Sequence, residues 1–451
     1  MYRRKWRVYS KESTENGELV VVEPGLEIPN LPIYSMEQVS KHNNAENGIW
    51  IVYKAGVYDV SQFVKIHPGG DNILLGAGNS IEPFWEVYSQ HKTQQVFELL
   101  ESFRIGNLLP EVDIEDYELE IDGLTLKEPI QLTLDQIKTL FPKHSVTSVV
   151  QCAGNRRDQL NTIKEVKGIS WGVGAIGNAQ WTGAKLVDIL QYCGVDMNDP
   201  SIKHVQFEGL DLDATSTPYG ASVPSDMALN PMNEFICAYE MNGEPIPADH
   251  GFPIRLIAPG VVGARNVKWL GRIVLSDEES HSHWQRNDYK SFPSNMDSAT
   301  GDEFARAHSI QQLPIQSAIC SPKDGQPIAV QWKHDPQSGT TKPFIELAGY
   351  AWSGGGRAVI RVDLTTDNGR TWHMATLEQE PNKPVHHTYS WTLWKIDIPL
   401  SVGQLHQGNT LEFACRAFDS SYNAQPKQPD EIWNFRGLLN NSWHRIKVQI
   451  A

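Results

Sequence analysis

The sequence predicts a multidomain α+β protein whose last third is an all-β sandwich. Its 451 residues exceed what one ordinary hydrophobic core can serve, so two to four domains are expected. Strand-like and helical segments alternate irregularly up to about residue 312, unlike the regular βαβ repeat of a doubly wound sheet, which indicates a mixed sheet. Beyond Leu313 strand-like segments follow one another, and Asp367-Asn368-Gly369 is a strong hairpin signal. This texture favours an immunoglobulin-like sandwich.

The composition is that of a soluble globular protein, with 40% hydrophobic and 21% charged residues. Because no run of 18 apolar residues occurs, no transmembrane helix is predicted. The formal net charge of −15 disfavours binding to nucleic acids or anionic membranes, so any site for an anion must hold its positive charge locally. The 5 cysteines are odd in number and widely spaced, which argues against a disulfide framework. Cys193, at helical spacing from Leu186 and Leu190, is expected in the core.

The first candidate site is formed by two histidines near the N-terminus. A capping box at Ser35 predicts a short helix, and two strands are predicted within 48–60. His67-Pro68-Gly69-Gly70 forms an open turn that presents the imidazole, and His91 follows across helical patterns. Two axial imidazoles would leave an iron without an open position, so it would only carry electrons. A His-Pro turn alone would be an ordinary loop, but these apolar residues could wall a haem pocket: Phe63, Ile73, Leu74, Phe84, Trp85 and Phe97.

The second candidate site is Cys152. The alternating run 146–151 predicts a half-buried strand that delivers this thiol to a turn, followed at once by Arg156 and Arg157. Nearby cations favour the thiolate, which is the form that attacks electrophiles or binds a soft metal. From the residues alone, an inert buried cysteine in a loop is an equally good interpretation. A capping box at Thr133 predicts a helix before this strand, and a further helix is predicted from about Gly183 to Cys193.

These stretches resemble animal sulfite oxidases, in the same order, from about Ile33 to the C-terminus. Three more motifs carry the resemblance: Asp249 to Arg255, Pro259 to Leu270 and Ser282 to Gln285. The resemblance implies a cytochrome b5-like haem domain at 31–107, a mixed α+β molybdenum cofactor domain at 108–312 and an immunoglobulin-like dimerisation domain at 313–451. It implies oxidation of sulfite to sulfate at a molybdenum-molybdopterin centre, with electrons leaving through a b-type haem to cytochrome c. It also implies the mitochondrial intermembrane space, although the basic N-terminus is by itself a weak targeting signal.

The resemblance also assigns the site residues. His67 and His91 would hold the haem iron, and Cys152 the molybdenum. The cofactor contacts would be Asp211, His250, Arg255, Asn266, Val267 and Lys268. The anion pocket would comprise Arg157, Arg436, Trp171 as its wall, and Tyr289 beside Asp288. Without the resemblance, Arg265 and Lys268 would be interpreted as a solvated basic edge, and His250 as a turn histidine.

The sequence departs from the family between the first two domains. Family members carry a long proline-rich hinge and then a Thr-Arg-Asn-His segment, whose arginine binds substrate; neither occurs in this chain, where 106–117 joins the two domains. A natural variant form or an excised segment would explain the gap equally. An alternative hypothesis is therefore a haem-binding dimeric variant with impaired or no sulfite turnover. A nitrate reductase relative fits less well, because that family places the haem segment after the molybdenum domain and adds a flavin reductase.

Overall fold

The computed structural model describes residues 24–26, 28, 30–87, 91, 93–109, 114–212, 217–334, 339–381 and 383–451. Sheets and hydrophobic cores divide these residues into an N-terminal, a middle and a C-terminal domain. No helix of the described residues is both long and apolar enough to cross a membrane.

The N-terminal domain is a small mixed sheet with short helices. Its strands are β1 (Ile33–Tyr34), β2 (Asn43–Asn44), β3 (Gly48–Tyr53), β4 (Gly56–Asp59), β5 (Asn79–Ser80) and β6 (Arg104–Leu108), and its α-helices are α1 (Met36–Ser40), α2 (Glu82–Val87) and α3 (Gln94–Glu101). The strand order is β1-β6-β4-β3-β2, with β5 beside β3. The predicted capping box is confirmed, because Ser35 accepts from the Gln38 amide and Gln38 accepts from the Ser35 amide. Alternate residues of β3 enter different cores, so both faces of the sheet are covered.

The middle domain contains two five-stranded sheets. Its elements are β7 (Glu118–Gly123), β8 (Ile130–Thr133), α4 (Leu134–Leu140), β9 (Lys143–Gln151), α5 (Arg157–Asn161), β10 (Ile176–Lys185), α6 (Leu186–Tyr192), β11 (His204–Leu212), β12 (Pro218–Pro224), α7 (Ser225–Ala228), β13 (Ile236–Met241), β14 (Glu244–Pro245), β15 (Arg255–Ile257), β16 (Leu270–Ser276) and α8 (His283–Arg286). One sheet has the order β14-β13-β10-β9, with β15 beside β13, and the other the order β12-β11-β16-β7-β8. The pairing of β16 with β7 is parallel and the neighbouring pairings are antiparallel, which confirms the predicted mixed sheet.

Local predictions in the middle domain are mostly confirmed. The capping box at Thr133 starts α4, and Cys193 lies in the core beside Leu186 and Leu190. The predicted start of the helix that ends near Cys193 was wrong, because Gly183 lies in β10 and the helix, α6, begins at Leu186. A Cβ at Gly183 would come within 2.1 Å of the Cys237 carbonyl oxygen, so this glycine allows a close approach between strands.

The C-terminal domain is a β-sandwich that follows helix α9 (Gly301–Arg306). Its strands are β17 (Gln316–Ser321), β18 (Pro327–Ile328), β19 (Gln331–His334), β20 (Thr341–Trp352), β21 (Val359–Thr365), β22 (His373–Met374), β23 (Thr376–Glu378), β24 (Thr392–Pro399), β25 (Thr410–Asp419) and β26 (His444–Ile450). The two sheets have the orders β17-β20-β24-β23, with β19 beside β20, and β18-β26-β25-β21-β22. One core collects residues from both sheets, such as Trp394 and Phe413. Asn368 and Gly369 have φ angles of 60° and 88° between β21 and β22, which confirms the hairpin.

Candidate active site

The two N-terminal histidines face each other as nearly parallel rings. The ring centroids of His67 and His91 are 6.3 Å apart, with an interplanar angle of 9°. His67 Nδ1 lies 3.0 Å from the Gly70 carbonyl oxygen, so Nδ1 carries the proton and Nε2 is left for a metal. A Cβ at Gly69 would lie 2.8 Å from His67 Cε1, which explains why a glycine stands in this turn. The pair has the donor chemistry that a six-coordinate haem iron requires.

Aromatic side chains form part of the wall of this pocket. Phe63 meets the His67 ring edge-on at 5.7 Å between centroids, and Trp85 stacks on His91 at 5.3 Å. Ile73 and Phe97 pack against the same core. Leu74, which was expected in the wall, is 39% exposed. The walls and the two imidazoles together fit a haem.

Cys152 stands at the end of β9, where the chain turns sharply. Its amide donates to the Ala175 carbonyl oxygen at 3.0 Å, and its own carbonyl accepts from the Asn155 amide at 3.1 Å. The Gly154 amide points at the thiol sulfur from 3.4 Å. The thiol is half-buried and available to a ligand. A soft sulfur donor in this setting fits a molybdenum centre.

Arg157 occupies a narrow slot beside this turn. Its Nε donates to the Gly437 carbonyl oxygen at 3.2 Å and its Nη1 to that of Ile169 at 2.6 Å. A Cβ at Gly154 or Gly168 would come within 2.7 Å of the guanidinium, and one at Gly437 within 2.6 Å of Arg157 Cγ. Three glycines therefore shape the slot. The slot opens on a cavity of about 370 Å³, lined by Arg157, Asn161, Glu165, Val166, Gly168 and Ser170.

The predicted anion-binding residues lie close enough to one another to interact electrostatically. Burial lowers the pKa of Arg157, Cys152 opposes this effect, and Arg436 adds to it. Arg436 forms an ion pair with Asp288, whose Oδ1 also accepts from the Tyr289 amide at 2.7 Å. Burial raises the pKa of Tyr289 to about 12, so the phenol is protonated near neutral pH and can donate a hydrogen bond. Arg157 is thus within electrostatic range of Cys152, Arg436 and Tyr289, and Tyr289 is within range of Cys152 as well.

Backbone hydrogen bonds connect the segment that carries Trp171 to the residues that follow the Cys152 turn. Its carbonyl oxygen accepts from the Asp158 amide at 3.2 Å, and the next carbonyl, that of Gly172, accepts from the Arg156 amide at 2.9 Å. Trp171, which was expected in the wall of the anion pocket, is 42% exposed.

The predicted cofactor residues are tied to one another at one edge of the middle domain. Buried Arg255 donates through Nη1 to the His250 carbonyl oxygen at 2.7 Å and through Nη2 to that of Asn266 at 3.1 Å. Lys268 Nζ donates to the Asp249 carbonyl oxygen at 2.8 Å. Burial lowers the pKa of Lys268, Arg255 lowers it further, and Asp211 opposes both effects. Val267 is buried, whereas the His250 side chain is 47% exposed. An edge with this cationic donor chemistry fits an anionic cofactor phosphate.

Two arginines of this region differ from the simplest sequence interpretation. Arg265 is fully buried, so a solvated basic edge is wrong for this residue. Arg156, which was expected to act on the thiol together with Arg157, instead donates to the Ser317 carbonyl oxygen at 3.1 Å and the Ser442 carbonyl oxygen at 2.8 Å. Neither position has a sequence signal that distinguishes a buried arginine from a surface one.

The C-terminal domain also forms hydrogen bonds with the backbone and one side chain of the Cys152 turn. The Leu439 amide donates to the Ala153 carbonyl oxygen at 2.8 Å, and Asn440 Nδ2 donates to that of Arg156 at 2.8 Å. Asn155 Nδ2 donates to the Tyr350 hydroxyl at 2.7 Å. The candidate site is therefore built between two domains.

Comparisons with known proteins agree with this architecture. Family models match three consecutive parts of the chain: a cytochrome b5-like heme/steroid binding domain at residues 35–109, an oxidoreductase molybdopterin binding domain at 106–284 and a Mo-co oxidoreductase dimerisation domain at 307–451. Mitochondrial sulfite oxidase of Drosophila melanogaster is 47% identical over 93% of this chain and 81% of its own length. The chain belongs to the sulfite oxidase family. The Homo sapiens mitochondrial sulfite oxidase is 40% identical over 93% of this chain and 85% of its own length.

A solved structure supports the fold of this sulfite oxidase family member. The sulfane dehydrogenase SoxCD from Paracoccus pantotrophus superposes with a TM-score of 0.59 and 26% identity, covering 77% of this chain and 82% of that chain. The alignments with the Drosophila and human sulfite oxidases run over 481 positions, more than the 451 residues of this chain. They therefore contain positions that these relatives fill and this chain does not.

Proposed function

We propose that this protein oxidises sulfite to sulfate at a molybdenum-molybdopterin centre and passes the electrons through a b-type haem. The single observation that carries the proposal is a chain of contacts beside the Cys152 turn: Arg157 donates to the Gly437 carbonyl, and the adjacent Arg436 pairs with Asp288, which also accepts from the Tyr289 amide. An acidic protein that concentrates buried cations beside a thiol is suited to a small anion.

Each residue of the pocket has a distinct role in this proposal. Arg157 and Arg436 bind the sulfite oxygens, and Trp171 limits water at the rim. Asp288 balances the charge of Arg436 and fixes the backbone of Tyr289, whose phenol donates a hydrogen bond to the anion. Cys152 supplies the protein thiolate to the metal. When bound, the molybdenum centre supplies oxygen-atom transfer and accepts two electrons.

The cofactor would lie on the edge formed by Asp211, His250, Arg255, Asn266, Val267 and Lys268. Lys268 and the exposed imidazole of His250 would supply hydrogen-bond donors to its anionic group, and Arg255, which donates to the His250 and Asn266 carbonyls, would hold the backbone behind them. The domain limits we propose are 31–107 for the haem domain, 108–312 for the molybdenum domain and 313–451 for the dimerisation domain.

The haem, bound by His67 and His91, would transfer electrons singly to cytochrome c. The haem segment carries more carboxylates than lysines and arginines, which suits docking to a basic partner. The match to a dimerisation domain supports a homodimer. The relatives are named as mitochondrial, and we propose the mitochondrial intermembrane space for this protein as well.

The absence of Thr-Arg-Asn-His supports one alternative, a haem-binding dimeric variant with impaired or no sulfite turnover. A nitrate reductase relative is disfavoured by the order of the domains, because the haem segment precedes the molybdenum domain here.

Steady-state sulfite oxidation by this chain, compared with a version that carries the family segment after Asn107, separates these possibilities. Losing one buried charge-assisted contact costs about 2–5 kcal/mol, so we expect kcat/KM about 30- to 5,000-fold lower for the chain as it stands. Turnover by the restored version alone would favour the impaired variant. Turnover by neither would reject sulfite oxidation, and equal kcat/KM values would show that the missing arginine is dispensable.

A further inference from the structure

Arg265 is a buried cation whose charge no carboxylate balances at close range. Its relative exposure is 0%, and no carboxylate of the described residues forms a salt bridge with its guanidinium, although Glu279 and Asp288 act on it electrostatically from farther away. Its Nη2 is buried without a hydrogen-bond partner in the described part of the chain. Burying an unpaired charge is expensive for a fold. A buried arginine that lacks an ion pair is therefore expected to have a structural role, which its hydrogen-bond partners should reveal.

Arg265 holds the segment that carries Tyr289. Its Nε donates to the Ile310 carbonyl oxygen at 3.1 Å, and the Ile310 amide donates to the Tyr289 carbonyl oxygen at 3.0 Å. Its guanidinium carbon lies 5.9 Å from the centroid of the Tyr289 ring. Its Nη1 donates to the Trp284 carbonyl oxygen at 3.2 Å, which ties in the helix that precedes Tyr289. Arg265 thus contacts the tyrosine segment through a ring and two backbone carbonyls.

Tyr289 requires such support because of its backbone. Its φ angle is 42°, in the left-handed region that bulky side chains rarely adopt. Such a conformation persists only when surrounding contacts determine it. On one side, Asp288 accepts from the Tyr289 amide and pairs with Arg436. On the other side, the contacts are those of Arg265 and Ile310.

We propose that Arg265 is a positioning residue for the oxidation of sulfite, acting by holding the Tyr289 phenol in the anion pocket. The inference rests on the proposed function and adds a residue that lies behind the pocket. Arg265 lies behind the pocket and is not assigned a contact with the substrate, since its Nε and Nη1 donate to the Ile310 and Trp284 carbonyls.

A double-mutant cycle tests this role. In the holoenzyme, Arg265→Gln is measured with Tyr289 present and again on a Tyr289→Phe background, using sulfite and a small one-electron acceptor. With Tyr289 present, we expect kcat/KM to fall tenfold or more, because the phenol is no longer held in place. On the Tyr289→Phe background the same change should cost no more than about twofold, since residues that act as a unit are not additive. Equal losses on both backgrounds would overturn the proposal, and so would the absence of any loss.

A matched control and a second readout separate positioning from general damage. Arg286→Gln removes an arginine from the adjacent helix that pairs with Glu278, and it should leave kcat/KM unchanged. Deuterium exchange of the Ile310 amide should accelerate in Arg265→Gln and stay at the wild-type rate in Arg286→Gln.

If wild type does not oxidise sulfite, the proposed function fails while the exchange experiment still decides whether Arg265 holds the Tyr289 segment. If Arg265→Gln fails to fold, Arg265→Lys takes its place in the same cycle. Lysine keeps the charge but has a single ammonium nitrogen in place of the two guanidinium nitrogens that donate to the Ile310 and Trp284 carbonyls.

Discussion

Gly154→Ala should damage sulfite turnover through the position of a neighbouring arginine. The added methyl carbon would lie 2.7 Å from both Cζ and Nη2 of Arg157, closer than real contacts allow. Gly154 has no positive φ angle, so the substitution adds bulk without straining the backbone. Because Gly168 packs against its other side, the guanidinium has to yield to the new methyl group by swinging out of the slot toward the cavity that it lines.

The size of the effect follows from the contacts that Arg157 makes. A displaced guanidinium loses its donations to the Gly437 and Ile169 carbonyl oxygens and its proposed contact with the anion. Truncating a buried charge-assisted contact costs about 2–5 kcal/mol, and tenfold corresponds to about 1.4 kcal/mol, so kcat/KM should fall about 30- to 5,000-fold.

The assay is steady-state sulfite oxidation with a small one-electron acceptor, which bypasses the haem. Gly174→Ala is the matched control, because Gly174 has no positive φ and a Cβ there meets no atom within 4 Å. Molybdenum content should agree among the three proteins, and the thermal unfolding midpoint should fall only in Gly154→Ala, which loses the two carbonyl contacts of Arg157. A Gly154→Ala enzyme with the wild-type kcat/KM would refute the steric reasoning.

Three further predictions concern the haem ligands, the thiol and a buried histidine. His91→Ala should abolish a low-spin bis-imidazole absorption spectrum, and an unchanged spectrum would exclude His91 as an axial ligand. Cys152→Ser should remove sulfite oxidation and leave the haem spectrum intact, because an alkoxide is a harder and scarcer ligand than a thiolate; wild-type turnover with a small acceptor would contradict this. Burial holds the pKa of His444 well below its usual value, and its Nδ1 accepts from the Ile319 amide at 3.0 Å. A depressed histidine pKa means that the unfolded chain binds the proton first, so this residue's contribution to stability is lost as pH falls below about 6.5, by up to about 1.4 kcal/mol per pH unit. Denaturant titrations of His444→Asn should show a flatter dependence between pH 5 and 6.5, and an unaltered slope would show that His444 does not titrate in this way.

Local signals in the sequence predicted much of the fold because they depend on neighbours in the chain. The capping boxes at Ser35 and Thr133 and the hairpin at Asn368-Gly369 need only a few adjacent residues to form. The start of helix α6 was predicted too early, because strand pairing of Gly183 overrides local helical spacing.

The sequence predicted the site residues that belong to a local motif. It could not predict the burial and hydrogen bonding of residues whose surroundings come from distant parts of the chain. His67 and Cys152 follow from turns and strand ends in the sequence. The burial of Arg156 and Arg265 depends on carbonyls supplied from residues 284, 310, 317 and 442, which no local pattern reveals. The slot around Arg157 is similarly non-local, since Gly437 reaches it from the other end of the chain.

The grip of the C-terminal domain on the Cys152 turn has a consequence for biosynthesis. Leu439 and Asn440, which donate to the Ala153 and Arg156 carbonyls, lie far downstream of the turn that they hold, in the C-terminal domain. A nascent chain that has released its N-terminal domain can already close a haem pocket, because His67 and His91 lie far upstream. The thiol turn therefore reaches its final shape only after the C-terminal domain has been synthesised and has folded against it. Haem loading can precede that step, whereas the molybdenum site is complete only after it.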